Sequence, residues 1–72
     1  MSDGVVRKID AANGKLTLRH GPLVNLDMPG MTMVFRVRSS ELLSGIKLGD
    51  AVTFHAEYVD GVFIVTALQV AP

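Results

Sequence analysis

The residues with the most distinctive chemistry are methionines gathered in one short stretch, DMPGMTM. Three of the four methionines of this 72-residue chain lie there, namely Met28, Met31 and Met33, and His20 precedes them. Thioethers and an imidazole are neutral, soft donors, so this group of residues could hold a soft monovalent metal ion. Methionine also fills irregular gaps in a protein core, because its side chain is flexible and polarizable. Residue types and spacing alone leave both interpretations open.

The donor types select the metal if they converge on one point. Thioethers discriminate against Zn(II), Mg(II) and Ca(II), which prefer nitrogen, oxygen or thiolate ligands. Cu(II) needs more nitrogen or oxygen donors than one histidine supplies, and a blue-copper site needs a cysteine, which this sequence lacks. Cu(I) and Ag(I) remain as the expected ions. Because neutral ligands leave the ion's charge in place and burial of a charge is costly, we expect the site near the surface.

The segments that must position these residues have the pattern of β-strands. Asn13-Gly14 and Asp60-Gly61 are tight-turn signals that predict two hairpins. Residues 39–50 predict a loop with at most one helical turn, and this order of connections favours an all-β fold, a small five-stranded OB-fold-like β-barrel. Alternating or β-branched residues predict strands over 4–10, 15–20, 31–38, 51–59 and 62–70.

Strand phase places the candidate ligands on one face of the predicted sheet. Met31 and Met33 are two residues apart, so their side chains leave the same face of the third strand. His20 ends the second strand in phase with its leucines, so we expect it to face the barrel interior. If the second and third strands pair across the intervening loop, His20 lies opposite the start of the third strand. Met28, just before a Pro-Gly turn, could fold over the same place.

Other kinds of functional site find little support in the sequence. His55 has the phase of the solvent face, and we assign it no role. Paired carboxylates, phosphate-binding glycine loops and nucleophile motifs are absent from the sequence, so we expect no enzymatic activity. The absence of cysteine excludes disulfides and thiol chemistry, and it suits an oxidising compartment.

Charge and hydropathy argue against two classes of partner. Seven basic and seven acidic residues cancel, and no basic stripe is visible along the sequence, so we expect no nucleic-acid partner. The apolar runs are too short for a membrane span, so we expect no insertion of this segment into a membrane.

Three segments resemble the CusF-like domain, a small periplasmic copper- and silver-binding module of bacterial efflux systems: GVVRKID, GKLTLRHGPLVNLDMPGMTMVF and IKLGDAVTF. HGP, a loop and then MPGMTM match the family's pattern of His-x-Pro followed by Trp-Pro-x-Met-Thr-Met. The resemblance implies a five-stranded OB-fold barrel with a Cu(I)/Ag(I) site whose ligands are His20, Met31 and Met33. It also implies a periplasmic location and transfer of the ion to an efflux adaptor or transporter.

One position departs from the family's pattern. The family has a tryptophan that stacks on the metal through a cation–π contact, whereas Met28 occupies that place here and the chain contains no tryptophan. Met28 is therefore either a third thioether ligand or an apolar lid over the ion.

The resemblance leaves the organisation of the whole protein open. We expect residues 1–72 to form a single CusF-like metal-binding domain and a monomer. Such domains occur as free chaperones and as the C-terminal domain of efflux adaptors of the SilB type, and the abrupt ends of the chain slightly favour an excised domain. The alternative from another class is an OB-fold module that binds oligonucleotides or oligosaccharides, with the methionines as core filler.

Overall fold

Five β-strands form a closed barrel in the computed structural model, which describes residues 2–23, 26 and 29–71. Short 3₁₀ turns cover Ala11–Asn13 and Ser40–Leu43. Among the described residues no helix is long and apolar enough to span a membrane. The strands are β1 (Ser2–Asp10), β2 (Lys15–His20), β3 (Met31–Val37), β4 (Ala51–Val59) and β5 (Val62–Val70).

The strand order around the barrel is β1-β2-β3-β5-β4, and β4 pairs with β1 to close it. All neighbours are antiparallel except β3 and β5, which pair in parallel at Arg36–Ile64 and Val37–Val65. The prediction of an all-β, five-stranded OB-fold-like barrel is confirmed. Closure leaves none of the five strands with an unpaired edge along its whole length, which matters for a chain this short.

Alternation along the strands fills the barrel interior. Phe35 and Phe54 lie at its centre with no exposed surface, and their ring centroids are 5.6 Å apart in an edge-to-face arrangement. Such aromatic pairs add about 0.5–1.5 kcal/mol to the effect of burial alone. The buried apolar residues are Val6, Leu16, Leu18, Leu23, Phe35, Leu43, Val52, Phe54, Ala56 and Val65.

The two predicted hairpins form with different turns. Asp60 and Gly61 both have positive φ, 51° and 82°, as a two-residue type I′ turn requires. The connection of β1 to β2 is longer than a two-residue turn: a 3₁₀ turn precedes Gly14, whose φ is 63°. The Asp10 carboxylate stabilises this turn by accepting hydrogen bonds from Asn13 N and Nδ2, at 3.3 and 3.0 Å.

The predicted strand boundaries are close to those observed. β2, β4 and β5 have the predicted bounds, whereas β1 begins two residues earlier, at Ser2, and β3 ends one residue earlier, at Val37. The loop between β3 and β4, predicted to contain at most one helical turn, contains the 3₁₀ turn at Ser40–Leu43, where the Ser39 side chain accepts a hydrogen bond from Glu41 N.

Candidate metal site

The pairing of β2 with β3 brings two of the candidate ligands together. His20 lies directly opposite Met31, and Leu18 lies opposite Met33. Residues directly opposite each other have Cβ atoms about 4.5–5.5 Å apart, and diagonal neighbours are about 7–8 Å apart. Both methionines are therefore within reach of the imidazole, because the thioether ends a long and flexible side chain. The predicted pairing across the loop is confirmed.

The His20 imidazole is buried and has one free nitrogen. Its exposed fraction is 4%, and Nδ1 lies 2.7 Å from the carbonyl oxygen of Gly21. A carbonyl oxygen only accepts hydrogen bonds, so Nδ1 carries the proton and Nε2 presents its lone pair. Within the part of the chain that the structure describes, the buried Nε2 atom has no hydrogen-bond partner. An unpaired buried polar atom costs about 1–3 kcal/mol, and a bound metal ion would satisfy it.

Two phenyl rings fix the orientation of the imidazole. The His20 ring meets Phe35 edge-on at a centroid distance of 5.5 Å and Phe54 at 6.3 Å, with interplanar angles of 65° and 70°. The Gly21 carbonyl restrains the other side of the ring. Metal-binding histidines commonly donate their second N–H to a backbone carbonyl in this way, which fixes the tautomer.

Met31 and Met33 lie near the end of the barrel where β2 ends and β3 begins, which is the mouth at the candidate site. Met31 is 43% exposed, whereas Met33 is partly buried and packs against the core. Together with the buried His20, they span the boundary between the interior and the surface. This placement agrees with the expectation that a monovalent ion among neutral ligands stays close to solvent. Met28 lies outside the described residues.

Gly21 and Gly30 shape the site, and the sequence reasoning did not identify them. Gly21 supplies the carbonyl that sets the tautomer of His20. A Cβ on Gly30 would lie 3.1 Å from the His20 carbonyl oxygen, so glycine lets the chain pass close to the end of β2 before it enters β3. The Pro-Gly pair signals a turn, but it does not reveal this close approach to backbone.

The other polar residues that the structure describes offer no competing metal site. Among the residues that the structure covers, no group of three or more His, Cys, Asp or Glu side chains is placed to hold a metal ion. His55 is exposed on the outer face of β4, and its Nε2 lies 3.7 Å from a carboxylate oxygen of Glu57. The prediction that His55 faces solvent is confirmed.

Comparison with known proteins identifies a family for the chain. The sequence model of the family described as "Copper binding periplasmic protein CusF" matches residues 1–70. The "Cation efflux system protein CusF" of Escherichia coli O157:H7 is 40% identical over 52 residues, which make up 72% of this chain and 47% of that protein. The chain therefore spans about half the length of the curated relatives that it matches.

Solved structures share the fold. Apo-CusF from Escherichia coli superposes with a TM-score of 0.87 at 31% identity, over 99% of this chain and 84% of that one. A crystal structure of Ag(I)CusF superposes with a TM-score of 0.83 at 29% identity, over 97% of this chain and 93% of that one. These matches confirm the resemblance and the barrel fold that were inferred from the sequence. The family's description also agrees with the predicted periplasmic location and with a binding function rather than an enzymatic one.

Proposed function

The chain belongs to the CusF family of copper-binding periplasmic proteins, and from this premise we propose that it binds Cu(I) or Ag(I) and passes the ion to components of a heavy-metal efflux system. The proposed ligands are His20, Met31 and Met33. The single observation that carries this proposal is the buried Nε2 of His20, which has no partner among the described residues and lies on a residue directly opposite Met31. We also propose that residues 1–72 form one metal-binding domain, which the family match over residues 1–70 supports.

The donor chemistry supports the choice of ion. One imidazole nitrogen and two thioethers are soft and uncharged, and they suit Cu(I) or Ag(I) better than a harder divalent ion. The relatives described above support the same choice, since one is solved with Ag(I) and the family is described as copper-binding.

The exposure of Met31 supports transfer by ligand exchange. A partner's thioether can approach the ion at the barrel mouth, where Met31 is 43% exposed, while His20 still holds it from inside. The donors of this chain then leave one at a time, so that the ion is never released bare. The name of the relatives, cation efflux system protein, supports an efflux adaptor or transporter as the partner.

We propose further that Met28 supplies a third thioether in the place of the family's tryptophan. The test is Met28→Ala, with Met28→Leu as a matched variant that keeps an apolar lid without sulfur. A ligand role is expected to lower the Ag(I) affinity in both variants. Unchanged affinity in Met28→Leu together with reduced affinity in Met28→Ala would show a lid, and unchanged affinity in both would exclude either role.

Titration with Ag(I), followed through ¹³C-labelled methionine methyl groups, tests the metal site directly. The methyl signals of Met31 and Met33 are expected to shift and to saturate at one ion per chain. Oligonucleotide or oligosaccharide binding, with the methionines as core filler, predicts no such response. Silent Met31 and Met33 signals at saturating Ag(I) would overturn the proposed function.

A further inference from the structure

A positively charged surface lies on the outer face of β1, β2 and β3. The candidate site lies on the inner face of β2 and β3. Paired residues in adjacent strands point to the same side of a sheet, so the outward residues of β1, β2 and β3 form an array, which one register shift interrupts between Val6 and Lys8. We call these nine residues the basic face. Its rows are Val5–Arg19–Thr32, Lys8–Thr17–Val34 and Asp10–Lys15–Arg36.

The basic face concentrates charge that the chain as a whole does not have. It contains four basic residues, all exposed, and one acidic residue, which leaves three positive charges. The formal charge of the full chain is zero, so the remaining residues carry a net charge of −3. The sequence hides this separation, because the basic residues are scattered over three strands and meet only in the folded sheet.

The placement of two of these basic residues lowers the stability of the sheet. Lys15 and Arg36 lie directly opposite each other, and like charges in that position destabilise a sheet. Asp10, on the other side of Lys15, is a partial counter-charge. Hydrogen bonds from Asn13, and then the charges of Lys8 and Lys15, hold the pKa of the Asp10 carboxyl below its usual value. The face stays strongly positive even with Asp10 ionised.

We propose that the basic face is a docking surface for the acidic surface of a partner protein. The two threonines of the face offer hydroxyl groups, and Val34 on β3, which is 55% exposed, offers a small apolar contact. None of the nine residues is aromatic, so the face lacks the stacking platforms of single-stranded nucleic-acid binders. It also lacks the large apolar side chains with which interfacial segments insert into a membrane.

The position of the basic face links docking to the candidate metal site. Arg19 immediately precedes His20, and Thr32 lies between the two proposed methionine ligands. A partner held on the outside of β2 and β3 would therefore lie beside the barrel mouth without covering it. The basic face would add a partner-binding surface to the proposed transfer of the metal ion. Only the choice of a protein as the partner rests on that proposed function.

Binding of a short poly-L-glutamate peptide at physiological salt tests the proposal, with Arg36→Glu compared against Lys47→Glu. Both variants change the net charge equally, but Lys47 is an exposed residue outside the basic face. Arg36→Glu is expected to weaken binding about fivefold or more, and Lys47→Glu less than about twofold, because only the first changes a contact. The neutral pair Arg36→Gln and Lys47→Gln gives the same comparison if a reversed charge disturbs the fold.

Three results would overturn the proposal: no binding of the peptide, equal losses in the two variants, or tighter binding of phosphatidylglycerol vesicles or oligothymidylate than of the peptide. Ag(I) titration of the methionine methyl groups is run on the same variants and is expected to match the unmodified protein. Failure of docking and failure of the metal site are therefore observed separately.

Discussion

At the scale of single residues, His20 combines a restrained ring with an unsatisfied nitrogen. The hydrogen bond to Gly21 fixes the tautomer, and Phe35 and Phe54 limit rotation of the imidazole. The Nε2 atom, which has no partner among the described residues, lowers the stability of the folded protein unless an ion is bound. Replacement of His20 should therefore affect metal binding far more than it affects the stability of the metal-free protein.

His20→Leu is expected to abolish Ag(I) binding while leaving the free energy of unfolding of the metal-free protein within about 1 kcal/mol of the original. Leucine removes the unpaired buried nitrogen, and the Gly21 carbonyl, on an exposed residue, can bond to water instead. Urea unfolding and an Ag(I) titration measure the two effects. A loss of several kcal/mol with Ag(I) binding retained would make His20 a structural residue only.

Of the two glycines in the loop between β2 and β3, Gly30 is expected to tolerate substitution less well than Gly21. In Gly30→Ala the new methyl group would lie 3.1 Å from the His20 carbonyl oxygen, so the entry to β3 must shift. We expect a loss of about 1–2 kcal/mol, as for other overpacked sites. Gly21→Ala is the matched control, because a Cβ there meets no atom within 4 Å. Equal losses in urea unfolding of the two variants would contradict this interpretation.

At the scale of elements, the sequence determines which side of a strand a residue faces, but not every partner of that strand. Alternation was enough to place His20, Met31 and Met33 on the inner face, and the Asp60-Gly61 signal predicted the β4–β5 turn. The parallel contact of β3 with β5 has no local signal, because it joins strands that are distant in the chain. The basic face has no local signal for the same reason, because strand register brings its charges together.

The pairing of Lys15 with Arg36 leads to a prediction for the β2–β3 ladder. Arg36→Glu replaces a repulsive cross-strand pair with an attractive one, so the free energy of unfolding should rise by about 0.2–1 kcal/mol. The gain should shrink as salt is added, because both side chains are exposed. Urea unfolding at low and high salt measures it. A salt-independent loss of stability would show that Arg36 supports the sheet in some other way.

At the scale of the whole molecule, barrel closure sets two of the proposed ligands in place before the ion arrives. Strand pairing that spans β2 and β3 holds His20 opposite Met31, so binding needs side-chain movement rather than refolding. Ion binding can supply a large share of the stability of a small domain, since a short chain buries only a limited hydrophobic core. The fold was predictable because a strong alternation pattern runs through nearly the whole chain. The tautomer of His20 was not predictable from the sequence, because it depends on the contact of its Nδ1 atom with the Gly21 carbonyl oxygen in the folded protein.

Ag(I) is therefore expected to stabilise the folded protein by mass action. An ion that binds only the folded state adds about 2.7 kcal/mol at a free concentration of one hundred times Kd. For a domain of this size that corresponds to a rise in Tm of roughly 10 °C or more. Thermal unfolding followed by circular dichroism, with His20→Leu as the control, measures the rise. An equal rise in that variant would place the ion elsewhere.

X-ray absorption of the Cu(I)-loaded protein tests the convergence of imidazole and thioethers on one ion most directly, because it counts the neighbouring atoms by element. This convergence predicts one nitrogen together with two or three sulfur neighbours, no bound ion in His20→Leu, and one sulfur fewer in each of Met31→Leu and Met33→Leu. A shell of nitrogen and oxygen without sulfur, or one unchanged by these substitutions, would contradict it.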